Sequence, residues 1–495
     1  MADLAVKKPL KILFVTAELA PLVSTGGLAD VAGALSKNLK QRGHDVRIAM
    51  PAYGQIPREH WGKERFPCIA DLGCKTVYGA MRESRLPGSD APLYLIEHKD
   101  YFERNYLYGD NVHEYVDNAE RFCFFCLATL NGMEQSNWIP DIVHCHDWHA
   151  SPIPSYLRTR YARHPDWKNV PTHFTIHNLA FQGRYKPDKF ACTGFDQELF
   201  GPESFEHYGD MNLMKACIAF STKLNTVSPR YAREIQTPEY GVALDSMLRT
   251  RKEDLTGILN GVDYSVWNPA RDPHIAATFT VDDLAGKAQC KAALQAEFGL
   301  PQKPELPLIG LVSRLTWQKG FDLVAQAIPE LAKLPAQFVI LGTGHPEIEQ
   351  RLLALAATYP DKLQVQFAFD VPKSHRLQAG CDFFLMPSRY EPCGLTQMYA
   401  LAYGSVPIVR RTGGLADSVR DISTRTLANG TATGISYVPV TAAAIIKSVK
   451  EAIDLYANPE CYRGVQQTGM RQDFSWDRAG DLYLEQYQAA MAAMS

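Results

Sequence analysis

Apolar and polar residues along this chain fall into short blocks whose period switches between two and about 3.6 residues, the signatures of strand and helix. KILFVTAE (11–18) reads as a buried strand, GLADVAGALSKNLKQRG (27–43) as an amphipathic helix, and HDVRIAMP (44–51) as the next strand. DIVHCHD (141–147), THFTIHN (172–178), KLNTVS (223–228) and TGILNGV (256–262) continue the strand series. The pattern then restarts. LIGLVSRL (308–315), FVILGTG (338–344), LQVQFAF (363–369), CDFFLMPS (381–388) and VPIVRRTGG (406–414) read as strands leading into turns, with helices FDLVAQAIPELAKL (321–334) and LTQMYALAYG (395–404) between them. Short Val/Ile/Leu-rich strands alternating with helices imply parallel sheets covered on both faces. The expectation is an α/β protein of two doubly wound domains.

The restart sets the boundaries. NGVDYSVWNPARDP (Asn260–Pro273) is rich in turn formers and divides the two runs. The domains are therefore placed at residues 1–258 and 274–473, with a linker over 259–273. The last stretch, 474–495, reads as an amphipathic helix that packs back on the N-terminal domain.

Within this frame the hexapeptide TGGLAD occurs twice, at Thr25–Asp30 and Thr412–Asp417. Each copy follows an apolar strand and opens a helix, the place where open α/β sheets bind ligands. Paired glycines let backbone N–H groups approach an anion, and the helix N-terminus adds partial positive charge. Two such loops, one per domain, suit a phosphorylated ligand. The alternative is a strand-to-helix turn used twice without a ligand.

Composition narrows the partners. The 495 residues carry a formal net charge of −3, with 46% hydrophobic and 21% charged residues. No global field favours nucleic acid or an anionic membrane, so any anion must be bound by a few placed residues. The apolar run Ile12–Val15 is cut short by Glu18 and is too brief for a signal-peptide core or a membrane span. The eleven cysteines are odd in number and scattered, as in a reduced, cytoplasmic protein. Cys123 and Cys126, inside FCFFCLATL, read as core.

Candidate chemistry lies at strand ends. Arg314 and Lys319 in SRLTWQKG place a guanidinium and an ammonium where a diphosphate would sit. In SRYEPCGLTQ, Glu391 offers a carboxylate to sugar hydroxyls, or to backbone donors at a helix start, and Cys393, Gly394 and Leu395 could present backbone N–H groups. HCHDWHA (144–150) resembles a metal cluster, but no distant ligand completes it. Asp147 and Trp148 are expected instead to present a polar group and an aromatic face to a sugar. His177 and Asn178 occupy an equivalent position in THFTIHNLAFQG. Gly342 and Gly344 lack the third glycine of a dinucleotide fingerprint.

Together these motifs resemble the bacterial glycogen synthase and plant starch synthase family over nearly the whole chain. The matches are the stretch from Glu18 to Asp30, HDWHA, TIHNLAFQG, ILNGVD, SRLTWQKG, SRYEPCGLTQ and the second TGGLAD. The resemblance implies a glycosyltransferase fold of the GT-B type, with two Rossmann-like domains facing across a deep cleft. It implies transfer of glucose from a nucleotide-diphosphate glucose, ADP-glucose in most bacteria, to the non-reducing end of an α-1,4-glucan. Configuration is retained, and no metal or cofactor is required. By the same resemblance, Arg314 and Lys319 would bind the diphosphate and Glu391 the transferred glucose, with Thr412, Gly413 and Gly414 beside it. His177 and Asp147 would face the glucosyl unit. Ser24, Gly26, Gly27 and Asp30 would form the first donor loop. Trp148, Asn178 and Tyr108 would line the acceptor side, and Asn260 would sit near the hinge.

The chain departs from the family at Ser24, where lysine is usual. Eight residues after Glu391, where other retaining transferases carry a second glutamate, stands Tyr399. Three alternatives remain at this point: transfer to a small acceptor, a non-enzymatic glucan-binding protein, and a nicotinamide oxidoreductase.

Overall fold

The computed structural model describes residues 8–73, 75–110 and 113–494. In chain order the first strands are β1 (Lys11–Val15), β2 (Asp45–Pro51), β3 (Arg65–Asp71), β4 (Thr76–Arg85), β5 (Pro92–Glu97), β6 (Ile142–His146), β7 (Thr172–Ile176), β8 (Arg184–Tyr185), β9 (Glu206–His207), β10 (Asp210–Asn212), β11 (Lys223–Thr226) and β12 (Leu255–Gly257). They are followed by β13 (Leu308–Val312), β14 (Gln337–Leu341), β15 (Leu363–Gln366), β16 (Phe383–Met386), β17 (Val406–Arg410) and β18 (Ile435–Tyr437).

The chain divides into two compact units. The first comprises Met1–Val227, Ala232–Gly261 and Trp476–Ser495; the second comprises Ser228–Tyr231 and Val262–Ser475. The first holds a nine-stranded sheet in the order β12-β11-β7-β6-β1-β2-β5-β4-β3 and a small sheet β8-β10-β9. The second holds a six-stranded sheet ordered β15-β14-β13-β16-β17-β18, parallel throughout.

Burial explains the central strands. Ile12, Leu13, Phe14 and Val15 of β1 are wholly buried, because helices cover both faces of the sheet and leave no solvent side. Full burial of such side chains contributes about 1.5–3 kcal/mol each. The expectation of parallel sheets fails at one edge of the large sheet, where β3 pairs antiparallel with β4 and β4 with β5, and in the small sheet, where β10 pairs antiparallel with β8 and β9. β3 and β4 are half-exposed, and Tyr78 and Ile69 reach solvent. Antiparallel hairpins need only one covered face, so their apolar signal is weaker.

Two chain reversals create the binding edges. In the second unit the strand order turns about the β13/β16 pair. In the first it turns about β1/β6, since β2 lies on one side of β1 and β6 on the other. Loops leaving the carboxyl ends of strands at such switch points form crevices.

The helix Trp476–Ala492 completes the first unit. Tyr483 and Tyr487 are fully buried. Arg42 pairs with Asp481 at 2.6 Å, and Asn38 donates to Asp477 at 2.8 Å. Cys123 and Cys126 are buried in the helix Asn118–Gln135. No helix among the described residues is long and apolar enough to cross a membrane.

Candidate active site

In the second unit three strand-end loops meet. The loop after β13 carries Arg314 and Lys319, the loop after β16 carries Glu391, and the loop after β17 carries the second TGGLAD. Lys319 Nζ donates to Glu391 Oε2 at 2.5 Å, and Ser388 Oγ donates to the same oxygen at 2.9 Å. Glu391 is 5% exposed, so this charge is held by its partners and not by water. The two loops are tied by Arg389. Its backbone N–H donates to Gln318 O at 2.8 Å, and its guanidinium donates to both oxygens of Asp322 and to Trp317 O. Gly320, at φ +75°, allows the close approach; a Cβ there would lie 2.3 Å from Pro387 O. Arg314 is exposed, and its guanidinium has no hydrogen-bond or ion-pair partner among the described residues, although its carbonyl accepts from Thr316 N–H at 2.9 Å. An unpaired guanidinium beside a neutralised lysine–carboxylate pair is suited to receive an anion.

The second glycine pair is used differently from the sequence expectation. Gly414 N–H donates to Glu391 O at 3.1 Å and to Pro392 O at 3.2 Å. Cβ atoms on Gly413 and Gly414 would lie 1.9 Å from Glu391 O and 2.0 Å from Cys393 O. Close packing of one backbone on another, and not an open anion nest, is what these glycines permit. Thr412 is buried, and its carbonyl accepts from Leu415 and Ala416. Cys393 and Gly394 carbonyls accept from Gln397 Nε2 at 3.1 and 2.8 Å, and Leu395 caps the helix Thr396–Ala402. Tyr399 does not stand in for a second glutamate. Its ring lies flat on Trp267 at 3.9 Å, and His375 covers the other face of Trp267 at 3.8 Å.

The first copy is open. Gly26 and Gly27 are exposed at the start of the helix Gly27–Gln41, and a Cβ on Gly26 would meet nothing within 4 Å. Thr25 is held from below: its N–H and hydroxyl both donate to Glu18, at 2.6 Å each. Tyr108 OH donates to the same carboxylate at 2.7 Å. Asp30 stands in the first helical turn, where desolvation first and the charge of Glu18 second push its carboxyl up to about 6. Ser24 is exposed, its hydroxyl 3.3 Å from Gly26 O. Thr25 and Tyr108 line a concavity of about 370 Å³ with Gln55, Tyr106, His113 and Glu114. Burial, then the charge of Glu18, raises the Tyr108 phenol well above its usual range, so it stays a neutral donor.

The β6 and β7 ends correct two expectations. Trp148 is 5% exposed, packed edge-on against Phe122 and beside His149, with Gly183 beneath its ring. It braces the loop and does not offer a face to solvent. Asp147 is also buried, at φ +54°, and its Oδ1 accepts the backbone N–H of His177 at 2.8 Å. It joins two loops. Burial first pushes its carboxyl up to about 8, and the charge of Glu18 adds to the rise, against backbone donors from His177 and Asn178. Asn178 Oδ1 accepts from Ala180 N at 3.1 Å in a local turn. Burial lowers His177 to about 3, so the imidazole is neutral. Asn260 is buried, and its Oδ1 has no partner among the described residues. The other histidines of HCHDWHA serve the core: His144 bonds Thr175 and Tyr487, and His146 bonds His177. No group of three or more metal-ligating side chains stands together among the described residues.

Sequence reading assigned no role to Glu18, Ser388, Arg389 or Phe369. Glu18 was legible as a polar residue closing an apolar strand. The partners of Arg389 lie about seventy positions away in sequence and were not. Phe369, just past β15, is 86% exposed, an unusual fate for phenylalanine at a binding edge.

A parallel six-stranded sheet with cations at its switch point, joined to a second doubly wound unit, defines a glycosyltransferase of the GT-B class. Residues 11–250 match the starch synthase catalytic domain, and 295–462 match group 1 glycosyl transferases. The chain is 43% identical to a glycogen synthase of Geotalea daltonii, over 98% of its own length and 99% of that protein. It is 44% identical to a glycogen synthase of Anaeromyxobacter dehalogenans, over 97% and 99%. The catalytic domain of starch synthase IV from Arabidopsis thaliana, solved bound to ADP and acarbose, superposes with a TM-score of 0.90 at 32% identity, covering 98% of this chain and all of that one. The chain belongs to the glycogen synthase and starch synthase family of glycosyltransferases.

Proposed function

We propose that this chain transfers glucose from ADP-glucose to the non-reducing end of an α-1,4-glucan with retention of configuration. The observation that carries this reading is the exposed, unpartnered Arg314 beside the Lys319–Glu391 pair at the carboxyl edge of β13 and β16. The ADP and the acarbose (a glucan-like oligosaccharide) in the starch synthase IV neighbour support the choice of donor and acceptor.

In the reaction the donor C1–O bond to the diphosphate breaks, and a bond forms between C1 and the acceptor hydroxyl oxygen. That hydroxyl's proton passes to the departing phosphate oxygen on the same face. Negative charge grows on the diphosphate, where Arg314 and Lys319 stabilise it most. Glu391, anchored through Oε2, holds the transferred sugar by its hydroxyls. The open N–H groups at Gly26 and Gly27 reach the phosphates, and Phe369 offers its exposed face to the base. Asp147 acts through His177 by fixing that loop. Tyr108 and the concavity beside it take the acceptor. The all-thiol state of the ten described cysteines accords with a cytoplasmic enzyme.

The test is incubation with glycogen and either labelled ADP-glucose or labelled UDP-glucose. Label should enter polymer from ADP-glucose, and an α-1,4-specific hydrolase should release it. Label confined to free glucose or a small product overturns the reading.

A further inference from the structure

Beneath the site runs a buried array of imidazoles whose proton positions can be worked out one by one. Asn225 Oδ1 accepts from Thr175 Oγ1 at 2.5 Å and from His173 Nε2 at 2.9 Å. The Thr175 proton is thereby used, so its oxygen accepts from His144 Nε2–H at 2.6 Å. His144 Nδ1 is then bare and accepts from Tyr487 OH at 2.8 Å. His173 Nδ1 is bare too, and it is buried without a partner. In this array the orphaned ring nitrogen is a lone pair. That is the expected choice, because a buried N–H without an acceptor is rarer than an under-used acceptor.

The same rule decides the pair that reaches the site. His146 Nδ1 and His177 Nε2 lie 2.9 Å apart and share one proton. His146 Nε2 is buried and has no partner among the described residues. Were His177 the donor, His146 would carry its proton on that sealed nitrogen. With His146 Nδ1–H as donor, the orphan is again a lone pair, and the proton of His177 moves to Nδ1. His146 has little freedom to do otherwise: Phe14 stacks on it at 5.4 Å and His144 lies 4.0 Å away. His144 is itself held at both nitrogens, one of them by the C-terminal helix. His177 Nδ1 has no partner among the described residues.

We infer that His146 is a positioning residue that fixes His177 as its Nδ1–H tautomer, so that His177 presents a hydrogen-bond donor to a sugar oxygen. The purpose of this donor rests on the proposed transferase reading; the tautomer does not. An acceptor hydroxyl or ring oxygen binds such a nitrogen, and a competing donor such as an ammonium is refused.

The experiment uses the full chain with ¹⁵N-labelled histidine at neutral pH. Two-bond ¹⁵N–¹H spectra report which ring nitrogen carries the proton, and His177→Gln identifies the resonances by their loss. His177 should show a protonated Nδ1 and a bare Nε2. A protonated Nε2, or a doubly protonated ring, overturns the inference, and this wild-type result stands whether or not glucose is transferred. In His146→Phe the preference should be lost, and kcat should fall about tenfold, equivalent to about 1.4 kcal/mol, with KM for glucan nearly unchanged. His146→Asn, whose amide can still donate, should restore both the tautomer and most of kcat. An unchanged tautomer and kcat in His146→Phe would refute the positioning role.

Discussion

The twin TGGLAD loops invite a matched pair of substitutions, Gly26→Ala and Gly414→Ala. In Gly414→Ala the new methyl would stand 2.0 Å from Cys393 O and 2.5 Å from Cys393 C and Cα. Comfortable carbon contacts are about 3.5–4.0 Å, so the Glu391–Cys393 backbone must retreat by about 1 Å or more. Overpacking of this kind costs about 1–3 kcal/mol. For a unit of this size each kcal/mol lowers Tm by about 2–4 °C, so a fall of about 2–12 °C is expected. The displaced segment carries Glu391, whose carbonyl accepts Gly414 N–H, and a shift of about 1 Å at a reacting centre can cost about 10²-fold in rate. Gly26 is extended (φ −176°, ψ −168°) with no neighbour for a Cβ, so alanine there should change stability by less than about 0.5 kcal/mol. Its effect should fall on KM for the nucleotide sugar, where a methyl blocks approach to the loop. Thermal unfolding and initial rates with labelled ADP-glucose measure both arms. Equal losses of Tm in the two variants, or a Gly414→Ala protein with wild-type Tm and kcat, would refute the assignment of closed and open roles.

Removing one partner of the Lys319–Glu391 pair should expose an asymmetry. Lys319→Met leaves a 7% exposed carboxylate with Ser388 alone and should cost about 3 kcal/mol, the low end of the range for a broken buried pair. Glu391→Gln should cost less, because Lys319 can turn to water; urea unfolding at pH 7 compares them, and the reverse order would contradict the burial argument. The histidine array should make the first unit acid-labile. His144, His146 and His149 lie well below their usual value, with His173 at about 4 and His177 at about 3, all through burial first. Below pH 6.5 the imidazoles of the unfolded chain therefore take up protons that the buried ones refuse, and stability falls with pH. Asp147, raised to about 8, works the other way: it favours the fold at low pH and loses that contribution as pH rises from about 4 to 8. Asp30, raised to about 6, acts as Asp147 does; the five histidines outweigh these two carboxyls, so stability should fall from pH 7 to pH 5, and flat unfolding midpoints over that range would be inconsistent with it. Ser24→Lys should lower KM for the donor without moving Tm, since Ser24 is exposed; unchanged kinetics would show that this position does not limit donor binding.

Much of this protein was legible from the chain alone. Central strands such as β1, β13 and β16 are buried and carry unbroken apolar runs. The switch-point loops are marked by glycine and by cations that no strand interior would tolerate. Arg314, Lys319 and Glu391 could thus be singled out by their position after a strand. The antiparallel edge strands β3 and β4 were not legible, because half-exposed strands dilute the apolar signal. The demotion of Trp148 and Asp147 from exposed ligands to buried braces was equally hidden, since a strand-end position does not state which neighbours will cover it.

The repeated hexapeptide shows the division most sharply. Local sequence determined that both copies turn from a strand into a helix, because glycine conformation and helix initiation are local matters. Only the tertiary structure decided that Gly414 spends its N–H on Glu391 while Gly26 stands open, and that one shared proton sets the tautomer of His177. Those outcomes depend on which distant atoms arrive within hydrogen-bond range, and identical segments meet different neighbours in the two units.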